Sequence, residues 1–106
     1  MKKSKQKRLE AAGWKVASAR EFLALSAEEV AMIEMKLALA KSLRSLREKG
    51  GLTQTELARM LGSSQSRVAK LEAADASVSI DLLVRALLVA GATRKDVGRI
   101  IARRVA

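Results

Sequence analysis

The chain has 106 residues, of which 49% are hydrophobic, and this is enough for one domain with a modest core. The absence of Cys and His excludes a disulfide framework, the usual zinc sites and the commonest nucleophile–base pairs. The net charge of +10 indicates either a polyanionic partner, meaning nucleic acid or an anionic membrane, or a basic protein with no such partner. With no Pro and only 2% aromatic residues, the composition favours an all-helical fold.

The chain begins with a basic segment, residues 1–12, and continues as a single predicted helical domain over residues 13–106. The segment is either a flexible arm that follows DNA phosphates or a solubilising tail. A short extended stretch follows at residues 13–16, and we expect its Trp14 to pack on the domain or across a dimer interface. No signal-peptide apolar region follows the basic start and no apolar run reaches transmembrane length, so a cytoplasmic protein is expected.

Two capping boxes predict the first helices, one from Ser18 to Glu21 and one from Ser26 to Glu29. The second box opens a long helix of about residues 27–48, which would span about 33 Å. The first half of this helix is apolar almost all round, with two stripes where a small domain needs one. We therefore expect the lead-in segment or a second copy of the protein to cover the other stripe.

The next stretch reads LTQTELARMLGSSQSRVAKLE and predicts two short helices joined by a tight turn. Thr53 and Glu56 form a capping box at the start of the first helix. Gly62 stands where that helix must end, in a left-handed conformation that Gly adopts without steric cost. Ser63 or Ser64 caps the second helix.

The second helix of this pair has an apolar side and a polar side. Val68 and Leu71 are spaced to face inward. The outward positions carry no acidic residue, and they are Ser64, Gln65, Ser66, Arg67 and Lys70. This is the helix-turn-helix pattern, in which the second helix suits a DNA major groove.

Two further helices are predicted after a linker at residues 73–78. Ser79 caps a helix of about residues 80–90, which Gly91 ends, and a capping box from Thr93 to Asp96 opens a last helix to about residue 103. In the last helix the apolar residues face inward, and they are Val97, Ile100 and Ile101. Its basic residues are either solvated or reach phosphate, and they are Arg94, Lys95, Arg99, Arg103 and Arg104.

The helix-turn-helix stretch resembles the Cro/lambda-repressor-like, or XRE, family over roughly residues 39–90. The shared positions are Arg44, Arg47, Gly51 to Gln54, Glu56 to Ala58, Gly62 and Val68 to Glu72. Within the family the chain is most similar to HigA-type antitoxins, because a GWKVASAREFLALSAEE-like lead-in precedes the long helix. The resemblance implies an all-α, lambda-repressor-like bundle of five to six helices, with a long first main helix and a short extended N-terminal segment.

The resemblance also implies which residues contact DNA. The predicted base contacts are Ser64, Gln65, Ser66 and Arg67, and the predicted phosphate contacts are Gln54, Lys70, Arg44 and Arg47. Gln65 can bond an adenine edge at two atoms, and this is favoured over the alternative of an ordinary exposed glutamine. Arg67 suits guanine or phosphate. Arg44 and Arg47 either contact the DNA backbone or pair with Glu48 and Glu72 as part of the fold.

These features predict a sequence-specific DNA-binding repressor that acts as a homodimer on an inverted-repeat operator. The HigA-type resemblance adds the role of antitoxin and autorepressor of a toxin–antitoxin pair, with a RelE-like ribonuclease toxin as partner. The alternatives are a stand-alone phage- or host-type transcription factor, or an RNA-binding or protein-adaptor module on the same fold. An enzyme, a cofactor and a metal are not expected, because no acid–base, nucleotide or metal motif is present. A membrane-surface protein ranks below the DNA-binding, RNA-binding and adaptor functions, because the capping boxes and turn Gly indicate a compact fold.

Overall fold

A computed structural model describes residues 25–103, which form five α-helices and no strand. The helices are α1 (Ala27–Lys49), α2 (Gln54–Leu61), α3 (Gln65–Glu72), α4 (Ile80–Val89) and α5 (Arg94–Ala102). This arrangement confirms the predicted all-α helix-turn-helix bundle. The predicted arm, extended stretch and Ser18–Glu21 capping box lie outside the described residues.

Every helix begins at a hydroxyl residue that the sequence predicted as its cap. Ser26, Thr53 and Thr93 form reciprocal capping boxes, in which the hydroxyl accepts from a backbone N–H three residues on and an acidic side chain returns the contact. Ser64, rather than Ser63, caps α3, and its Oγ accepts from the N–H of Arg67 at 3.1 Å. Ser79 caps α4 in the same way. These side chains satisfy amides that have no partner within the helix.

The turn between α2 and α3 depends on a left-handed residue. Gly62 has φ 64° and ψ 38°, and its N–H donates to the carbonyls of Ala58 and Arg59. A second left-handed residue, Ala74 at φ 52°, ends the helix-turn-helix and is buried. A side chain at such an angle is strained by about 1–2 kcal/mol, so this turn is held by its surroundings.

The core is centred on the second half of α1, which packs against α3, α4 and α5. Its fully buried side chains come from four of the helices and are Leu39, Leu43, Leu57, Val68, Leu83 and Leu87. Val97 and Ile100 of α5 are also buried, as predicted. This core fixes the helix-turn-helix pair on the side of α1.

The apolar residues of α1 have different surroundings at its two ends. Leu39 and Leu43 are fully buried, whereas Met32 is 51% exposed. Large apolar side chains are also exposed at Met60, Leu88 and Val89. None of the helices in the described part of the chain is both long enough and apolar enough to cross a membrane.

Candidate nucleic-acid interface

Helix α3 presents the predicted polar face to the outside. Val68 and Leu71 are buried and anchor the helix against the core. All five predicted outward side chains are exposed, and they are Ser64, Gln65, Ser66, Arg67 and Lys70. The acidic residue of α3, Glu72, is turned inward, with only 5% of its side chain exposed. The exposed face therefore carries hydrogen-bonding and positively charged groups without a carboxylate.

A part-buried ion pair joins α1 to the end of α3. Arg47 donates from both Nε and Nη2 to the carboxylate of Glu72, and the Nη2–Oε1 distance is 3.0 Å. Its Nη1 donates to the carbonyl oxygen of Leu52 at 2.8 Å. The hydrogen bond to Glu72 raises the pKa of Arg47, which therefore remains cationic. The pair thus ties α1, the loop before α2 and α3 to one another.

The ion pair continues into a chain of amide contacts that ends on the exposed face of α3. Gln54 Nε2 donates to Glu72 Oε1 at 3.1 Å, and Gln65 Nε2 donates to Gln54 Oε1 at 2.6 Å. A carboxylate can only accept, so Gln54 must turn its NH₂ toward Glu72 and its oxygen outward. That oxygen in turn accepts a hydrogen bond from the NH₂ of Gln65. We call Arg47, Glu72, Gln54 and Gln65 the polar network.

The polar network leaves Gln65 in the orientation that an adenine edge requires. The amide has a second N–H that is free to donate, and its Oε1 is free to accept. Adenine presents an acceptor at N7 and a donor at N6 in the major groove, and one Gln side chain can contact both. Guanine presents two acceptors there, so the oxygen of Gln65 would find no donor. The geometry therefore favours adenine opposite Gln65.

The structure places the predicted phosphate-binding residues in different environments. Lys70 is exposed on α3, and Gln54 is half-buried within the polar network. Arg44 pairs with Glu48 at 3.3 Å, with both side chains more than half exposed. Arg47 is only 12% exposed. Both arginines therefore form the ion pairs that the sequence offered as an alternative, Arg44 with Glu48 and Arg47 with Glu72. Phosphate contact by any of these residues remains a prediction.

The two arginines differ in how readily a phosphate could reach them. Exposed pairs at i,i+4 contribute only about 0.3–0.5 kcal/mol, so a phosphate can compete with Glu48 for Arg44. Arg47 would have to leave a carboxylate that it contacts twice and whose side chain is only 5% exposed. The structure thus favours Arg44 over Arg47 as a phosphate contact.

The carboxylates around the helix-turn-helix have structural partners. The backbone hydrogen bond from Thr53 lowers the pKa of Glu56, which caps α2, and Glu72 belongs to the polar network. Among residues 25–103 there is no group of three or more potential ligands that could hold a metal ion. The sequence interpretation had assigned Glu56 to the cap and offered Glu72 as one possible partner of Arg47, but it missed the Gln54–Gln65 contact. The only signal for that contact was a pair of glutamines flanking the turn.

Comparisons with known proteins agree with this geometry. Residues 43–93 match a protein-family model described as helix-turn-helix. A Pyrococcus furiosus protein, provisionally named HTH-type transcriptional regulatory protein, is 51% identical over 43 residues, which are 41% of this chain. The chain spans 14% of the length of that relative. No solved structure gives a significant match. Residues 43–93 therefore form a helix-turn-helix domain similar to those of the XRE family.

Proposed function

We propose that the chain is a DNA-binding transcription regulator that reads base sequence with α3. The observation that carries this proposal is the polar network, which holds the Gln65 amide in one orientation on an exposed, acid-free helix face. The helix-turn-helix match of residues 43–93 and the name of the Pyrococcus furiosus relative support the same function. The net charge of +10 suits a polyanionic partner.

In the proposed complex, the N-terminal half of α3 lies in the major groove. Ser64, Gln65, Ser66 and Arg67 occupy the cap and first turn, where base edges are within reach in helix-turn-helix proteins. Lys70 lies further along the helix, where a phosphate contact is favoured. The first backbone N–H groups of a helix have no acceptor within the helix and form the positive end of its dipole. The start of α2 therefore favours a second phosphate contact beside Gln54.

A binding titration with Gln65→Ala tests base readout. Losing a bidentate contact should reduce discrimination against the wrong base by about 1–3 kcal/mol and flatten the preference at one base pair. Ser45→Ala, an exposed polar position on α1, is the control and should bind as the wild type does. If Gln65→Ala keeps both affinity and base preference, Gln65 is not a reading residue.

A more specific proposal is that the protein is a repressor that binds DNA as a homodimer. A two-fold dimer would place two copies of α3 about 34–36 Å apart, which matches successive turns of an inverted-repeat operator. The exposed apolar side chains of Met32, Leu88 and Val89 support a further interface on the described surface. Sedimentation equilibrium at micromolar concentration measures the state, and a single species near 11.4 kDa would exclude the dimer.

The most specific proposal is that the chain is the antitoxin and autorepressor of a toxin–antitoxin pair. Its support is the HigA-like lead-in before the long helix, and the proposed partner is a RelE-like ribonuclease. Co-expression with the product of the adjacent reading frame tests it, because the chain should restore growth that the toxin stops and should bind the promoter of the pair. The name of the relative favours a stand-alone regulator instead, and an adjacent frame with no toxic product would support that alternative.

A protein that shows no sequence preference on duplex DNA would instead fit an RNA-binding or adaptor role.

A further inference from the structure

The outer face of α5 is basic and carries no apolar side chain larger than that of Ala102. Val97 and Ile100 are buried against the core. The exposed residues are Arg94, Lys95, Gly98, Arg99, Ala102 and Arg103, and we call them the α5 face. The acidic residue of the helix, Asp96, already accepts from the backbone N–H of Thr93 and, at 2.8 Å, from Arg99. By contrast, the side chains of Arg94, Lys95 and Arg103 have no hydrogen-bond or ion-pair partner among residues 25–103.

Several residues of the α5 face are poor choices for the stability of the helix. Arg94 and Lys95 lie in the first turn, where the positive end of the helix dipole favours acidic side chains. Gly98 lies in the helix interior, where Ala would be more stable, and no atom lies within 4 Å of the place its Cβ would take. Neither packing nor a turn explains these residues. Departures of this kind are expected at functional surfaces.

The α5 face is separate from the surface that reads bases. Helix α5 packs chiefly against α1 and α4, whereas α3 packs against α2 and α1. Lys95 and Arg99 lie one turn apart on the outer side of α5, and Gly98 and Ala102 leave the helix backbone open beside them. A strand of phosphates could therefore approach this side of the helix closely.

We propose that the α5 face is a second binding surface for the phosphate backbone of duplex DNA. The choice of DNA as the polyanion rests on the proposed function, but the proposal does not depend on base readout. Duplex DNA is favoured over a membrane surface because the face lacks the apolar residues that a membrane-bound helix inserts. Phosphate contacts carry no sequence information, so this surface strengthens binding to any duplex, and it can hold a flanking or second DNA segment beside the operator.

The test compares two variants that lose the same charge at different places. The first is Arg94→Gln/Lys95→Gln/Arg103→Gln, and the control is Lys36→Gln/Lys41→Gln/Arg85→Gln. Both are titrated with a scrambled duplex between 50 and 200 mM salt. For the first variant, the slope of log affinity against log salt should fall by about 2–3, which is about one unit for each lost phosphate contact. The control should keep a slope close to that of the wild type.

Stability measurements separate this effect from unfolding. The melting temperature of the first variant should not fall, because two charges that oppose the helix dipole are removed. Gly98→Glu gives a second check, since it improves helix propensity and places a carboxylate among the basic residues. It should melt no lower than the wild type and bind the scrambled duplex more weakly. Equal slopes for the two triple variants would overturn the proposal, as would a loss of binding seen with phosphatidylglycerol vesicles but not with DNA.

The ratio of operator to scrambled-duplex affinity distinguishes this proposal from the proposed function. Substitutions on the α5 face should leave that ratio unchanged, whereas Gln65→Ala should lower it. A wild-type protein that preferred no sequence would remove base readout, and the salt slopes of the triple variants would still decide whether the α5 face binds phosphate.

Discussion

The part-buried ion pair between Arg47 and Glu72 leads us to expect a large loss of stability when Glu72 is replaced. Glu72→Gln nearly preserves the shape of the side chain but removes the charge that compensates a guanidinium only 12% exposed. Glu72 accepts three hydrogen bonds, two from Arg47 and one from Gln54. An amide has one accepting oxygen, and its NH₂ would face a donor of Arg47 or Gln54. At least one buried donor is therefore left without a partner.

The magnitude follows from the burial of the two side chains. Removing one member of a buried ion pair costs about 3–5 kcal/mol. The guanidinium retains some contact with water, so the expected cost lies at the lower end, about 3 kcal/mol. The two contacts with Arg47, at about 1.5–3 kcal/mol for each hydrogen bond to a charged group, give a similar value. For a domain of this size, the melting temperature should fall by about 12–24 °C.

Circular dichroism at 222 nm, followed during heating and in urea, measures this loss. Glu48→Gln is the matched control, because Arg44 and Glu48 form a pair of the same chemistry with side chains 64% and 55% exposed. That variant should lose only about 0.3–0.5 kcal/mol. In a double-mutant cycle with Arg47→Met, the second substitution should cost much less than the first. A Glu72→Gln variant no less stable than Glu48→Gln would refute the claim that the pair is shielded from water and coupled.

Three further results are expected. Gly62→Ala forces a side chain into φ 64° and should destabilise the fold by about 1–2 kcal/mol in urea unfolding, whereas Gly98→Ala fills open space in a helix and should stabilise it by about 0.5–1 kcal/mol. Equal effects at the two sites would contradict the left-handed turn. The pKa values of Glu56 and Asp96 are lowered in the fold, chiefly by backbone hydrogen bonds, so the unfolded chain binds more protons and the fold loses stability as the pH is lowered. That contribution is complete above the ordinary carboxyl pKa of about 4 and is lost below it, so melting temperatures of Glu56→Gln and Asp96→Asn should depend less on pH between 5 and 2 than that of the wild type. A wild-type pH dependence in both variants would count against the capping boxes.

Local features of the fold could be predicted because their contacts lie within one helical turn. The capping boxes at Ser26, Thr53 and Thr93 each join residues three apart, so the sequence alone contains both partners. Gly62 was predictable for a similar reason, since a helix that ends in a tight turn needs a left-handed residue. The inward spacing of Val68 and Leu71 likewise follows from helical periodicity.

The polar network could not be predicted because it depends on how three helices are placed. Arg47 and Glu72 are 25 residues apart, and Gln54 and Gln65 are 11 apart. The sequence left Arg47 open between a phosphate and Glu72, and only its burial favours the ion pair. It assigned Gln54 and Gln65 to separate DNA contacts, whereas in the structure each orients the other.

The central claim is that α3 reads base sequence through a Gln65 held by the polar network. Selection of binding sites by the purified wild-type protein, from a library of random duplexes at fixed salt, tests it most directly. We predict an enriched half-site with adenine at one fixed position, repeated in inverted orientation about 10–10.5 base pairs away, centre to centre. The same selection with Gln65→Ala should lose the preference for that adenine while the remaining positions persist. A wild-type selection that enriches no motif, or a motif that is identical for both proteins, would contradict the account.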